Sequence, residues 1–364
     1  MRDLFRLPQA GGLHQGTCAL RYAKGAREEQ SMDLRQMGEF GLIRRIGKWM
    51  TDSDPALVQG IGDDVAVIET EGKDGKCLLA TTDTLIEDVD FRRSWADPFR
   101  LGKKALAVNL SDIAAMGGTP NYFLISLGLP RTTSLSFISS FYRGLKQAAK
   151  RYNTVLIGGD ISLSRKIVIN ICLLGEGKKG NLLFRKGANP GDDLFISGTL
   201  GDSALGLRIL QEKGLKGEPK GLIEKHLSPT PRIELGQAIA RHRLATALID
   251  VSDGLLIDTS HLLDSSGVGG SILEKHLPLS RLYRKHIHAY SKSLYRFALS
   301  GGEDYELLFT VPPERKERIF SLSAALKIPI TWIGKILPKK EGFRIIGRNG
   351  MEYSPSRLGF EHFR

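Results

Sequence analysis

The order of apolar and amphipathic segments predicts a mixed α/β (α+β) protein with two domains. Short apolar runs that end in glycine, proline or acidic residues alternate with helix-like stretches in both halves of the chain, a pattern typical of sheets covered by helices. A chain of 364 residues is also longer than one hydrophobic core usually serves. Because a polar stretch near 175–180 interrupts the pattern, we expect an N-terminal domain over 37–176 and a C-terminal α/β domain over 177–364.

Composition narrows the classes of protein that fit. The chain is 41% hydrophobic and 25% charged, and no apolar run reaches the roughly eighteen residues that a membrane span needs, so we expect a soluble protein with no membrane contact. The three cysteines, Cys18, Cys77 and Cys172, lie far apart and form no CxxC pair. That spacing disfavours a zinc site and a disulfide framework, and it favours a reducing cytoplasm.

The net charge of +12 is compatible with nucleic acid, an anionic membrane or an anionic small molecule as a partner. The basic residues are scattered, and the chain contains neither a dense basic block nor an aromatic RNA-binding motif. We therefore expect no nucleic-acid partner.

The first segment, residues 1–36, has no regular periodicity, so we predict a disordered extension with Met37 as a plausible start. Directly after it, apolar residues recur at helical spacing from Glu39 to Trp49. This spacing predicts one amphipathic helix.

The segment from Lys103 to Gly118 predicts a buried helix. Its apolar residues occupy nearly every face, and two glycines end it. Asn109, Ser111 and Asp112 are the polar residues of its central part. A buried carboxylate needs a partner, so Asp112 either binds a metal ion or accepts hydrogen bonds from a neighbouring loop.

Aspartates follow apolar runs at several further points, which predicts a set of converging carboxylates. Asp64 follows a glycine-broken strand pattern, Asp83 stands in the run TTDT, and Asp160 follows a predicted short buried strand at Thr154–Ile157. Loops at strand ends are where α/β folds place their sites. We expect Asp64, Asp83, Asp112 and Asp160 to converge, although independent turn aspartates would give the same pattern.

The second half adds four candidate residues. Arg185 is either a phosphate contact or a solvated arginine. An apolar strand ends in Asp250 and Asp253 before a helix, and a glycine loop carries Glu303 ahead of another strand. Oxygen ligands in this number suit Mg²⁺, which in turn suits bound polyphosphate.

Known nucleotide-binding and covalent motifs are missing from the sequence. It contains no Walker A motif, no Rossmann GxGxxG with its downstream acid and no GxSxG elbow. We therefore expect phosphates to be held through metal, with direct phosphoryl transfer and no nucleophilic side chain.

Six motifs together resemble the thiamine-monophosphate kinase family: GIGDD at 60–64, TTDTL at 81–85, AVNLSDIAAMG at 107–117, IGGD at 157–160, DVSDGL at 250–255 and SGGEDYEL at 300–307. The resemblance covers nearly all of residues 37–363. It implies the fold of the aminoimidazole ribonucleotide synthetase superfamily, in which the sheet of the N-terminal domain pairs with its twin into a dimer barrel and a C-terminal α/β domain follows. It also implies a homodimer that converts thiamine monophosphate and ATP to thiamine diphosphate with Mg²⁺.

The resemblance implies roles for individual residues. The residues that would ligate or support Mg²⁺ are Asp64, Thr81, Thr82, Asp83, Asp112, Asp160, Asp250 and Asp253. Those that would contact ATP are Gly159, Asp160, Arg185 and Ser252. Glu303 and Phe360 would bind the thiamine end of the substrate, and Asp90 occupies a substrate-contact position where the family usually has histidine.

Two alternatives stay open from the sequence. The first is another ATP-using enzyme of the same superfamily, but Cys18 lacks the nearby lysine of selenophosphate synthetases, and the chain ends in Arg364 rather than the cysteine of the maturation dehydratase. The second is a non-catalytic binding protein on this fold, for which loss of site carboxylates would be expected. The sequence retains them.

Overall fold

Two mixed β-sheets carry the helices in a computed structural model that describes residues 33–50, 54–70, 75–353 and 358–361. The predicted mixed α/β class is confirmed. The chain divides into one unit of residues 1–51 with 361–364 and a second of residues 52–360. In the first unit, α1 spans Leu34–Met37 and α2 spans Glu39–Trp49, the predicted amphipathic helix. The predicted extension falls outside the described residues, except for its last four.

The N-terminal sheet of the second unit contains six strands, which are β1 Leu57–Gln59, β2 Ala66–Glu69, β3 Lys76–Ile86, β4 Thr119–Leu129, β5 Val155–Leu163 and β6 Val168–Lys178. They lie in the order β1-β2-β3-β6-β4-β5. All neighbouring pairs are antiparallel except β4 and β5, which are parallel. Strand β5 therefore forms one edge of this sheet.

Two helices pack with this sheet, α3 at Pro98–Ala115 and α4 at Leu135–Arg151. Side chains alternate between the faces of a strand, so buried residues such as Leu79, Leu85 and Ile125 share one face. The opposite face carries exposed side chains, including Tyr122 and Leu124. The sheet thus has one covered face and one open face.

The C-terminal sheet contains seven strands, which are β7 Asp193–Ser197, β8 Ala247–Val251, β9 Gly269–Leu273, β10 Glu306–Val311, β11 Ile330–Leu337, β12 Phe343–Ile346 and β13 Glu352–Tyr353. Their order is β13-β12-β9-β11-β7-β10-β8. The α-helices of this half are α5 Asp202–Lys213, α6 Lys220–Leu227, α7 Ile233–Arg241, α8 Leu255–Ser266, α9 Arg281–His286, α10 Arg296–Ser300 and α11 Lys316–Leu326. Every residue of β7, β8 and β10 is buried.

Helix α3 is buried because it contacts both sheets and also α7. A β-carbon added at Gly236 of α7 would lie 2.0 Å from the carbonyl oxygen of Ala114, so only glycine allows this approach. The helix begins at Pro98 after the Asp97 cap, and Gly117 follows it in the left-handed region at φ 67°. The predicted buried helix is confirmed, with its start five residues earlier than expected.

Two strand predictions were wrong in detail. The strand expected to be buried and to end at Ile157 is exposed and continues through Gly158–Asp160 to Leu163. The run Thr81–Thr84, expected at the end of a strand, lies inside β3, which continues to Ile86. In both cases ladder pairing with a neighbouring strand satisfies the backbone, so polar side chains do not end the strand. A membrane-spanning helix is absent from the described part of the chain, since none combines enough length with enough apolar character.

Candidate active site

Three aspartates from separate parts of the fold meet at one point. Asp64 precedes β2, Asp112 lies in the last turns of α3, and Asp250 lies near the end of β8. One carboxylate oxygen from each lies within 4.8 Å of the other two. The structure therefore brings together three of the predicted site residues, from segments far apart in sequence.

Each carboxylate is held by a donor of its own. Thr81 Oγ1 donates to Asp112 Oδ2 over 2.5 Å, and Ser111 Oγ donates to Asp250 Oδ2 over 2.6 Å. The guanidinium of Arg185 donates to Asp64 Oδ1 through Nε at 3.1 Å and Nη2 at 2.5 Å. These bonds fix the direction in which each carboxylate points.

Burial and mutual repulsion disfavour the ionised forms of this cluster. The pKa of Asp112 is raised well above its ordinary value by burial, and further by Asp83 and Asp250. Burial and then Asp64 raise the pKa of Asp250 to about 8. The pKa of Asp83 is raised to about 6 by burial, then by Asp90 and Asp64. Such a set is incompletely ionised at neutral pH unless a cation joins it.

The cluster fits a divalent cation. Asp64 Oδ2 is buried and has no hydrogen-bond partner among the described residues, although buried carboxylate oxygens are normally paired. The converging donors are all carboxylate oxygens, the ligand type that Mg²⁺ prefers. A cation at this point would satisfy the orphan oxygen and remove the repulsion.

Asp83 and Asn109 connect β3 to α3. The backbone N–H of Asp83 donates to Asn109 Oδ1 over 3.1 Å, and Asn109 Nδ2 donates to the carbonyl oxygen of Ala105. Asn109 therefore sets the distance between the strand and the helix. The sequence marked Asn109 and Ser111 only as polar positions in an apolar helix. In the structure, Asn109 accepts from the backbone of Asp83, and Ser111 donates to the carboxylate of Asp250.

A second edge of the site is formed where the loop before β10 crosses the loop after β8. The backbone N–H of Glu303 donates to the Ser252 carbonyl over 2.6 Å, and that of Tyr305 donates to the Val251 carbonyl over 2.8 Å. Glu303 and Tyr305 have φ of 65° and 50°, a strained region for residues other than glycine. The loop holding Glu303 is therefore fixed against the segment that leads from Asp250 to Asp253.

Asp253 is placed by its neighbours at the start of α8. The carboxylate of Asp258 accepts hydrogen bonds from the backbone N–H groups of Asp253 and Gly254, at 3.1 and 3.0 Å. The backbone N–H of Phe360 donates to the Asp253 carbonyl over 2.9 Å, so the predicted aromatic residue lies beside this turn. Sequence reasoning missed Asp258. Its position four residues after Gly254, in the first turn of α8, was the available signal.

Asp90 lies close enough to Asp83 to raise its pKa. Its Oδ2 accepts a hydrogen bond from the backbone N–H of Ile86 over 2.8 Å. The loop after β3 thus adds a further negative charge next to the carboxylate cluster.

Three predicted residues do not join the cluster within this chain. Thr82 points to the open face of the sheet, where it accepts a hydrogen bond from Asn170 Nδ2 over 3.0 Å. Gly159 and Asp160 lie in β5, separated from β3 by two intervening strands. Three strand spacings amount to about 14 Å. Alternation explains the position of Thr82, because adjacent residues of a strand face opposite sides.

Comparison with known proteins identifies the family. The models described as AIR synthase related protein, N-terminal domain and C-terminal domain, match residues 62–176 and 189–347. The thiamine-monophosphate kinase of Aquifex aeolicus is 44% identical over 286 residues, covering 78% of this chain and 89% of the relative. That of Bacillus subtilis is 37% identical over 334 residues, covering 90% and 100%.

Solved structures similar to this chain support the same family. AaThiL complexed with AMPPCP and TMP superposes with a TM-score of 0.79 at 40% identity, covering 91% of this chain and 99% of that chain. Escherichia coli HypE, a hydrogenase maturation protein, is 18% identical with a TM-score of 0.65, covering 90% and 100%, and shares the fold alone. By its matched family models and its curated relatives, the chain belongs to the AIR synthase related proteins and, within them, to the thiamine-monophosphate kinase family.

Proposed function

We propose that this protein uses ATP to phosphorylate thiamine monophosphate to thiamine diphosphate. The observation that carries the proposal is the convergence of Asp64, Asp112 and Asp250, which builds an oxygen-ligand site of the kind that holds metal-bound phosphates. The matched thiamine-monophosphate kinases align with this chain over most of their own length. One solved relative, AaThiL, was complexed with AMPPCP and TMP.

Mg²⁺ fits the donor set of the site. The side chains proposed to hold or support it are Asp64, Thr81, Asp83, Asp112, Asp250 and Asp253, with Thr82 and Asp160 on the open face of the sheet as further predicted contacts. Bound Mg²⁺ would neutralise charge on the phosphates during transfer. Thr81 and Ser111 keep their aspartates oriented, so little rearrangement is needed when the phosphates enter.

Arg185 and Ser252 are proposed to contact ATP. Arg185 pairs with Asp64, and its side chain is 21% exposed, so the guanidinium borders the site and can donate to a phosphate oxygen. Ser252 lies between Asp250 and Asp253, and its carbonyl already anchors the Glu303 loop. A nucleotide phosphate at Ser252 would therefore lie next to both the carboxylates and the substrate loop.

Glu303, Asp90 and Phe360 are proposed to bind the thiamine end. The thiazolium ring is a cation, which suits the carboxylates of Glu303 and Asp90 and the face of an aromatic ring. Phe360 is exposed, and its backbone is tied to the turn at Asp253. Glu303 and Phe360 are tied to the segment between Asp250 and Asp253, and Asp90 lies near Asp83 in the loop after β3.

We propose direct transfer of the γ-phosphoryl group from ATP to the substrate phosphate. The side chains that converge in the site are carboxylates whose proposed task is to bind metal, which leaves the protein to position donor and acceptor. Chiral γ-thiophosphate ATP tests this step, because a single in-line displacement inverts configuration at phosphorus. Retention would show that the protein carries the phosphoryl group.

A homodimer is proposed to complete the site. All nine residues of β5 are exposed, including Val155, Ile157, Ile161 and Leu163, and an exposed apolar edge strand offers unpaired backbone groups to a second sheet. In a dimer formed through this edge, Gly159 and Asp160 face the partner subunit. In that arrangement they could contact phosphates bound at the partner subunit's site, whereas the site of their own chain is too far away.

The cytoplasmic location stays a prediction.

A coupled assay of ADP release tests the proposed function. We expect release that requires both thiamine monophosphate and Mg²⁺, with thiamine diphosphate formed in equal amount. The chain without added thiamine monophosphate serves as the control. ADP release that is independent of this substrate, or absent with it, would overturn the proposal.

A further inference from the structure

A buried lysine and a buried histidine hold the two oxygens of Glu303. Lys104, in α3, places Nζ 2.7 Å from Glu303 Oε1, and its side chain is 3% exposed. His226, in α6, places Nδ1 2.8 Å from Glu303 Oε2, and its side chain is 2% exposed. The Glu303 side chain is 25% exposed. Its carboxylate is therefore fixed from two sides and still partly open to the site.

The charge partner of Glu303 is Lys104. Burial lowers the pKa of His226, and the neighbouring Lys104 lowers it further, so the imidazole is neutral at physiological pH and donates from Nδ1. Burial by itself would raise the pKa of Glu303, but Lys104 and His226 lower it to about 2. Besides these two groups, Tyr305 of the same loop lies near enough that burial and then the Glu303 carboxylate raise the pKa of its phenol. Glu303 thus stays ionised inside the protein.

The same helix also positions the metal end of the site. Lys104 and Ser111 are seven residues apart, which is two turns or about 10 Å along one face of α3. Ser111 donates to Asp250, and Asp112 belongs to the carboxylate cluster. The position of Glu303 relative to the cluster is therefore set by one rigid element that contacts both.

We propose that Lys104, assisted by His226, is a positioning residue for substrate selection, which holds Glu303 as an oriented carboxylate for the cationic ring of the substrate. The inference rests on the proposed function, because it takes thiamine monophosphate as the ligand of Glu303. A merely structural ion pair would instead affect folding, ATP use and substrate use together.

The test compares Lys104→Met with Lys103→Met. Lys103 is the next residue of the helix and makes no ion pair within the described ranges, so its variant removes the same charge from the same helix. We measure kcat, KM for each substrate, the melting temperature, and the Kd for thiamine monophosphate by calorimetry without ATP. Lys104→Arg, which keeps the charge, tests for rescue.

We expect Lys104→Met to raise both the Kd and the KM for thiamine monophosphate by about tenfold or more, as loss of a charge-assisted contact implies. The KM for ATP should change by less than about twofold, Lys104→Arg should recover part of the loss, and Lys103→Met should resemble the wild type. In a double-mutant cycle, Lys104→Met should add little to Glu303→Gln, because both act through one carboxylate.

The measurements distinguish failure of the proposed function from failure of the positioning role. If wild-type protein turns over no thiamine monophosphate, the proposed function fails. If the wild type is active and Lys104→Met leaves its Kd for thiamine monophosphate unchanged, or raises both KM values equally while lowering the melting temperature, the positioning role is wrong. Should Lys104→Met not fold, Lys104→Gln, which keeps a hydrogen-bond donor on a shorter and uncharged side chain, decides by the same measurements.

Discussion

Replacing Asp112 with asparagine is expected to stabilise the metal-free protein while it lowers turnover. Carboxylate oxygens of Asp112, Asp64 and Asp250 lie within 4.8 Å of one another. Two full negative charges at that separation repel each other by about 3.5 kcal/mol at an effective dielectric constant of about 20. Burial, together with repulsion by neighbouring aspartates, raises the pKa of Asp112 well above its ordinary value. Without metal, this aspartate therefore works against folding.

The direction of the stability change follows from the linkage between the pKa of Asp112 and the free energy of unfolding. An acid whose pKa is higher in the folded protein than in the unfolded chain destabilises the fold increasingly as the pH rises above about 4. Asparagine carries no charge, and its side-chain oxygen can still accept the hydrogen bond that Thr81 donates to Asp112. We expect Asp112→Asn to raise the free energy of unfolding in chelator by about 1–3 kcal/mol at pH 8, and by less at pH 5.

Chemical unfolding in chelator and in saturating Mg²⁺ measures both effects. Mg²⁺ should stabilise the wild type more than the variant, because the variant has lost a ligand, and turnover should fall about a hundredfold. Asp264→Asn, which removes an exposed carboxylate from α8, should change stability by less than about 0.5 kcal/mol. A variant that is less stable in chelator, or that keeps wild-type turnover over a Mg²⁺ titration, would refute the reasoning.

Three further predictions concern protons, substrate and assembly. Burial and then the adjacent Asp64 raise the pKa of Asp63, whose carboxylate accepts from the backbone N–H of Arg185, to about 7, and the pKa of Asp250 is raised to about 8. Mg²⁺ affinity should therefore rise, with proton release, between about pH 6 and pH 8, and calorimetry in two buffers checks this. Glu303→Ala and Phe360→Ala should raise the KM for thiamine monophosphate and leave that for ATP nearly unchanged, and equal effects would contradict the assignment. Ile161→Lys, on the exposed strand β5, should shift sedimentation from dimer to monomer, whereas an unchanged species would exclude pairing through this edge.

The helix that carries Asp112 was predictable because its pattern has few explanations. Apolar residues on nearly every face require burial, and a carboxylate in such a helix requires a partner. The structure contains that helix, and Asp112 meets Asp64 and Asp250. Convergence itself could not be derived from the sequence. It depends on the contact of β8 with α3, which joins residues 139 positions apart through Ser111 and Asp250.

Strand residues were harder to place because their faces depend on register. Thr82 and Asp83 are adjacent, yet only Asp83 faces α3, since successive side chains of a strand point in opposite directions. Asp160 was expected in a loop beside the cluster, but its strand continues to Leu163 along the sheet edge. An apolar run followed by two glycines gives no signal that the strand continues through them along the edge of the sheet.

Lys104 shows why charge is a poor guide to exposure in sequence reasoning. A lysine near the start of a helix, with Lys103 beside it, has the usual pattern of a solvated residue, and nothing nearby marks one of the two as buried. The structure separates them, because the position seven residues before Ser111 faces the C-terminal domain. Burial of that ammonium is tolerated only because Glu303 lies 2.7 Å away. Pairing two costly charges therefore links the helix that positions the metal ligands to the loop proposed to select the substrate.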